Sequence, residues 1–194
     1  MAKKVVRYYF GFASPFGALA DARIDELVGD AGAELDPVPV LAPPGEPLEG
    51  FAATLHEFKN SYQYEDAARW ARKLGLSWNP PDDRPVTLDA SVGYYVARES
   101  GVERAYRNRV FKARWSEGRD IDDRGVLAEC AADVGLLTET FKRALDDRKY
   151  HDELSARGLA GMEDRVFGVP LFVVDGERFW GNDRLEFLSD FLAA

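Results

Sequence analysis

Short apolar runs stand at the two ends of the chain, and helical periodicity fills what lies between. Val5, Val6, Tyr8, Tyr9 and Phe10 form a nearly continuous stretch of β-branched and aromatic residues, the pattern of a strand buried on both faces. Gly11 permits a sharp turn. Ser14-Pro15 then reads as an N-cap and the first residue of a helix. The spacing predicts that Phe16, Leu19, Ala20, Ile24, Leu27 and Val28 share the inward face of that helix, with Asp21, Arg23, Asp25 and Glu26 largely off it. Gly29 to Gly32 ends the pattern. Residues Glu34 to Leu41 predict a second strand, which Pro37 and Pro39 place at a sheet edge. Strand, helix, strand is a right-handed βαβ unit with parallel strands.

Ala42 to Pro47 is a loop by composition. From there to about Arg165 no strand is expected. Apolar residues recur at helical spacing in Ala67, Trp70, Ala71 and Leu74; in Leu88, Val92, Tyr95 and Val96; and in Val102, Ala105, Tyr106, Val110 and Phe111. Val126, Leu127 and Cys130 follow, then Leu137, Phe141 and Leu145, then Leu154. Gly75, Gly101, Gly118, Gly135 and Gly158 punctuate these runs, so the middle reads as five or six helices. The end returns to strands. Leu171 to Val174 and Arg178 to Trp180 flank Asp175-Gly176, a hairpin turn of the type that needs positive φ. Gly181-Asn182-Asp183 offers a cap for a closing helix carrying Leu185, Leu188, Phe191 and Leu192. The order is βαβ, a helical insert, then ββα.

With 194 residues, 46% hydrophobic and 12% aromatic, the chain can bury a core as one large domain or a small domain with an insertion. The formal net charge of −9 speaks against nucleic acid or an anionic membrane surface as partner. No apolar run is long enough to span a membrane, the N-terminus does not read as a signal peptide, and one cysteine, Cys130, rules out an internal disulfide. A cytoplasmic protein is expected. With only His56 and His151, far apart in sequence, a zinc site is not expected. Cys130 reads as a buried helix residue, and both histidines as surface or packing residues.

The candidate chemistry sits at Ser14. A hydroxyl at the positive end of a helix, beside unpaired N–H groups, favours an anion, and a thiolate is an anion. The same Ser-Pro pair also opens helices that carry no chemistry.

Strand and helix order is that of a thioredoxin fold with a helical insertion: a thioredoxin-like unit of residues 1–42 and 166–194 around an inserted all-α unit of 43–165. Phe12-Ala13-Ser14-Pro15-Phe16, Val166-Phe167-Gly168-Val169-Pro170 and Phe179-Trp180-Gly181-Asn182-Asp183-Arg184-Leu185 resemble the DsbA-like group. Within it, the chain is most similar to 2-hydroxychromene-2-carboxylate isomerases and the kappa-class glutathione transferases. Lys59, Tyr62, Asp66, Arg69 and Trp70 match a Lys-x-x-Tyr-x-x-x-Asp-x-x-Arg-Trp pattern; Trp115, Gly118, Asp120, Ile121 and Asp122 match a Trp-x-x-Gly-x-Asp-Ile-x-Asp stretch.

The resemblance implies glutathione, or another small thiol, as cofactor. Where disulfide oxidoreductases of this fold carry Cys-Pro-x-Cys, this chain has Ser14-Pro15-Phe16-Gly17, so dithiol exchange by that route is impossible. The resemblance makes Ser14 the group that hydrogen-bonds the thiol of glutathione. It makes Val169-Pro170 a cis bond that presents the Val169 backbone to the cysteinyl part. Trp180, Gly181, Asn182 and Asp183 then hold the γ-glutamyl end, its carboxylate on the amides of the last helix and its ammonium on Asp183. Lys59 and Phe12 are weaker substrate-binding candidates, while Tyr62 and Trp70 are expected in the core. The implied activity is glutathione-dependent isomerisation of a small conjugated aromatic oxo-acid, with a kappa-type transferase or a non-catalytic thiol-binding protein as alternatives and a homodimer as the assembly. The chain departs from the relatives' pattern at Gly17 and Ala18, where they carry serine and an aromatic. It departs again at Leu41-Ala42, where they carry an asparagine before Pro-Pro, and at Leu171, often threonine.

Overall fold

The computed structural model describes residues 3–41, 49–82 and 85–194. Four strands form one mixed sheet in the order β2-β1-β3-β4. β1 (Val5–Phe10) pairs parallel with β2 (Glu34–Pro39) across the helix α1 (Pro15–Asp30). It pairs antiparallel with β3 (Leu171–Val174), which turns back into β4 (Glu177–Trp180). β2 is an edge strand, as its prolines require. The β3–β4 turn has φ of +50° at Asp175 and +84° at Gly176, the left-handed pair a two-residue hairpin needs.

Alternation along β1 divides the core. Val6, Tyr8 and Phe10 face one layer, with Tyr94, Phe111 and Phe172 among their neighbours; Tyr9 faces the other, with Val38 and Leu171. Arg7, the polar position within the run, reaches Asp164 at 2.7 Å and Asp36 at 3.5 Å, and Tyr9 donates its hydroxyl to Asp164 at 2.7 Å. Those contacts fasten the two parallel strands to the end of a later helix. Val5, expected inside, is exposed at the start of the strand.

Between β2 and β3 lie α2 (Gly50–Lys73), α3 (Leu88–Glu99), α4 (Glu103–Trp115), α5 (Arg124–Asp133), α6 (Thr138–Ala144) and α7 (Arg148–Glu163). These six helices among the described residues agree with the five or six that the periodicity predicts. Gly75, Gly101, Gly118 and Gly135 stand at helix ends with positive φ, where a residue without Cβ is favoured. Gly158 does not: α7 runs through it. The chain closes with a 3₁₀ turn (Asn182–Arg184) and α8 (Leu185–Ala193). The expected boundary between residues 42 and 43 lies outside the described residues. Among those described, no helix is long and apolar enough to cross a membrane.

Several side chains lie elsewhere than periodicity places them. Asp21 is only 5% exposed, because Arg107 of α4 is buried against it and reaches Asp25 at 2.6 Å as well. Tyr62 is 59% exposed rather than in the core. Trp70 is partly buried beside Leu19, Ala67 and Ala71. The inward residues of α2 are confined to its C-terminal third, so Phe51, Leu55 and Phe58 face outward. Ala105 and Leu137 also lie outside the core.

Candidate active site

α1 begins where the sequence places it. Ser14 is extended (φ −90°, ψ 118°), its Oγ accepts the Gly17 N–H at 3.0 Å, and Pro15 occupies the first helical position. The Ser14 N–H in turn donates to the Gly11 carbonyl at 2.9 Å, closing the turn that leads out of β1. Gly17 is buried, and a Cβ there would lie 3.1 Å from the Ser14 Cβ and 3.2 Å from the Gly11 carbonyl oxygen. The absence of a side chain at 17 therefore lets the first turn of α1 close over the serine.

Val169-Pro170 is cis. The Val169 carbonyl accepts the Ser14 hydroxyl at 3.2 Å, long for an O–H···O bond. The Val169 N–H has no hydrogen-bond partner among the described residues. One residue on, the Pro170 carbonyl accepts the Gly181 N–H at 2.9 Å, so the β3 and β4 ends are tied together beside the serine. Gly181 adopts φ +109° and turns the chain into the 3₁₀ segment.

A cleft of about 780 Å³ opens over Ser14. Val40, Leu41, Val86, Met162, Val166 and Phe167 supply its apolar wall, and Gly11, Ala13, Gly168 and Val169 its floor. No ionised side chain lines it among the described residues. Phe167 is exposed and meets the Trp180 ring edge-on at 4.9 Å.

Of the residues the sequence singles out, Ser14, Val169, Pro170 and Gly181 come together in one line of contacts. Trp180 borders it through Phe167. Asn182 is buried, with its carbonyl and its Oδ1 both accepting from Arg23 at 2.9 and 3.0 Å. Asp183 is half-exposed, 3.4 Å from Arg184. Phe12 is not a cleft residue: it is fully buried against Phe10 and Phe111, and only its backbone serves the site. Lys59 sits on the exposed part of α2, outside the cleft wall. Ala42 to Pro44 lie outside the described residues. His56 is exposed, and His151 lies 2.8 Å from the Leu145 carbonyl. Cys130 is fully buried in α5, and that burial pushes its thiol pKa up, opposite to what a reactive cysteine needs.

Two residues of the Trp-x-x-Gly-x-Asp-Ile-x-Asp stretch hold this geometry, a role the motif alone did not reveal. Trp115 donates its indole N–H to the Phe12 carbonyl at 2.9 Å and so pins the loop before Ser14. Asp122 accepts the N–H groups of Val86 and Thr87 at 2.7 and 2.9 Å, fixing the opposite wall, where Thr87 holds φ +62°. Their spacing marked the stretch, but their targets lie far away in sequence.

The family model for the DSBA-like thioredoxin domain matches residues 5–193. The 2-hydroxychromene-2-carboxylate isomerase of Pseudomonas putida is 29% identical over 191 residues, covering 95% of this chain and 92% of that protein. The isomerase of the same name from Sphingobium xenophagum is 28% identical over 192 residues, covering 97% and 98%. A solved structure of 2-hydroxychromene-2-carboxylate isomerase superposes with a TM-score of 0.84 at 27% identity, covering 97% of this chain and 94% of that one.

Proposed function

Because this chain belongs to the DSBA-like thioredoxin-domain family and carries Ser14 where dithiol chemistry would need a cysteine, we propose that it is an isomerase that works with a borrowed thiol, glutathione, on a small conjugated aromatic oxo-acid. The observation that carries the reading is the Ser14 hydroxyl, capped onto α1 and resting on the Val169 carbonyl by a long, exchangeable hydrogen bond. Relatives of similar length named 2-hydroxychromene-2-carboxylate isomerase support the same class of reaction.

The donors present suit the cysteinyl part of glutathione. The Val169 N–H beside the serine has no partner among the described residues, and the N-terminus of the 16-residue helix α1 lies behind it. Bound there, the thiolate would supply a nucleophile that adds to a conjugated double bond, lets the resulting single bond rotate, and leaves again. Ser14 would turn its O–H from the Val169 carbonyl to the sulfur, holding the negative charge at the positive end of α1. The apolar wall from Val86 to Phe167 would receive an aromatic ring and exclude water from the adduct.

Calorimetric titration with glutathione, followed by a pH scan of thiolate absorbance in the complex, tests the proposal. The expected result is binding with a thiol pKa brought below its ordinary value near ~8.5. Ser14→Ala should keep the fold and return that pKa toward the free value, with turnover falling in step. A glutathione pool that is unchanged at the end of turnover identifies isomerisation, and its consumption identifies a transferase. An unchanged pKa and rate in Ser14→Ala would remove Ser14 from the mechanism.

A further inference from the structure

Among the described residues that line the cleft, two carry a polar side chain, Ser14 and Thr87. Ser14 caps α1 and rests on the Val169 carbonyl. The Thr87 side chain has no such engagement. The residue is 4% exposed. Its N–H donates to Asp122 at 2.9 Å, and its carbonyl accepts the Ser91 N–H at 3.0 Å. Both backbone groups are therefore satisfied inside the protein. The hydroxyl has no hydrogen-bond partner among the described residues. A hydroxyl set so deeply and left unpaired is costly, and the space that Thr87 borders is the cleft.

The local backbone explains why the hydroxyl is free. Thr87 is the N-cap of α3, a position where threonine ordinarily accepts an N–H of the first turn. That bond requires extended backbone at the cap. Thr87 instead has φ +62° and ψ 9°, left-handed, and its side chain makes no cap bond. A β-branched residue is rarely found in that conformation, which glycine or asparagine adopts with less strain. Asp122 holds it there, one carboxylate oxygen on the Val86 N–H and the other on the Thr87 N–H. The chain thus forgoes a cap and accepts strain, and the group released is a hydroxyl at the start of a 12-residue helix. Strain over-determined by its surroundings in this way clusters where side chains are used.

The proposed chemistry has a use for a second hydroxyl. When a thiolate adds to a carbon–carbon double bond conjugated with an oxo group, the new C–S bond forms at the far carbon. The π pair shifts, and the negative charge arrives on the oxo oxygen as an enolate. Rotation about the new single bond follows. The enolate pair then returns to restore the double bond, the C–S bond breaks, and the thiolate leaves with no net proton transferred. Charge therefore moves from sulfur to oxygen and back, and a hydrogen-bond donor at each end stabilises the intermediate. Ser14 serves the sulfur.

We infer that Thr87 is the catalytic residue at the other end: its hydroxyl donates to the oxo oxygen of the substrate and stabilises the enolate. The inference rests on the isomerase reading above and deepens it. Ser14 and Thr87 then act as a pair, each a hydroxyl at the N-terminus of a helix, where negative charge is favoured.

The test uses the full chain, glutathione and benzylidenepyruvate enriched in its cis form by irradiation, with the return to trans followed by ultraviolet absorbance. Thr87→Val and Thr87→Gly should lower kcat about 10- to 100-fold, the effect of one lost donor to a developing oxyanion. KM should change by less than about threefold, since the bond strengthens chiefly in the transition state. The thiol pKa of bound glutathione should stay where the unaltered protein sets it, and Thr87→Ser should recover most of the rate. Thr87→Gly also relieves the left-handed strain, so it decides the matter if Thr87→Val does not fold. A kcat held in Thr87→Gly, or a loss confined to KM, overturns the inference. So does a loss accompanied by a raised pKa of the bound thiol, or one that Thr87→Ser shares in full, because each marks a change in cleft shape instead of a lost donor. All of these leave Ser14 and the borrowed thiol in place. If the unaltered protein with glutathione does not accelerate the return to trans, the isomerase reading falls and this inference with it.

Discussion

At Gly17 a methyl group would be crowded: the Ser14 side chain and the Gly11 carbonyl, both held by the cap that starts α1, would have to give by a few tenths of an ångström. Gly17→Ala gains about 1 kcal/mol of helix propensity and loses about 1–3 kcal/mol to crowding, so its net effect on stability runs from nothing to a loss of about 2 kcal/mol. It also acts on the serine. As the Ser14 side chain gives way, the pKa of a thiol bound beside it should rise toward the free value; that pKa and the urea midpoint are read on the same preparation. The glycine was visible in the sequence as a departure from the relatives' serine. The reason for it was not, because the clash involves Gly11 across a turn whose closure only the folded backbone reveals. Ser14 was legible for the opposite reason: an N-cap followed by proline is a local signal.

The helices show where periodicity stops being sufficient. In α2 the pattern Ala67, Trp70, Ala71 and Leu74 marks the packed C-terminal part correctly. Farther back the same helix turns Phe58 and Tyr62 to solvent. Tyr62→Ala should therefore change the unfolding free energy by no more than about 0.5 kcal/mol in urea denaturation, whereas a core tyrosine would cost several times that. In α1 the error runs the other way. Asp21 reads as a surface acid, yet α4 brings Arg107 to it, with Asp25 and Arg104 close by and the Tyr8 ring beneath. Burial is the main cause that pushes the Asp21 carboxyl up to about 6, with Arg107 opposing and Asp25 adding. A raised carboxyl binds more protons in the native state than in the unfolded chain between about pH 4 and pH 6. The contribution of Asp21 to stability is then present below that window and is lost as pH rises through it. Asp21→Asn should remove this component of the slope; urea midpoints measured at intervals from pH 4.5 to 6.5 check it, and parallel curves for the two proteins would refute it.

Taken whole, the chain places its one thiol where it cannot react. Cys130 is fully buried among the helices between β2 and β3, and its raised pKa keeps it protonated. A thiol-specific reagent such as a disulfide dye should label the native protein no faster than it unfolds, and in one step with loss of tertiary signal under denaturant. Rapid native labelling would mean that Cys130 is accessible, and that the thiol chemistry need not be borrowed. Much of the molecule followed from the sequence by itself: strands at both ends, an edge strand marked by its prolines, five or six helices between, the capped helix at Ser14 and the positive-φ hairpin at Asp175-Gly176. These are legible because each depends on residues within a few positions of one another, through side-chain periodicity, caps and turn geometry. Tertiary structure decided the rest. It set Ser14 against Val169, Gly181 against Pro170, Arg23 against Asn182, Trp115 against Phe12 and Asp122 against Thr87. Each of those pairs joins elements whose adjacency comes from how the sheet and helices pack, and a local pattern carries no information about which distant surface it will meet.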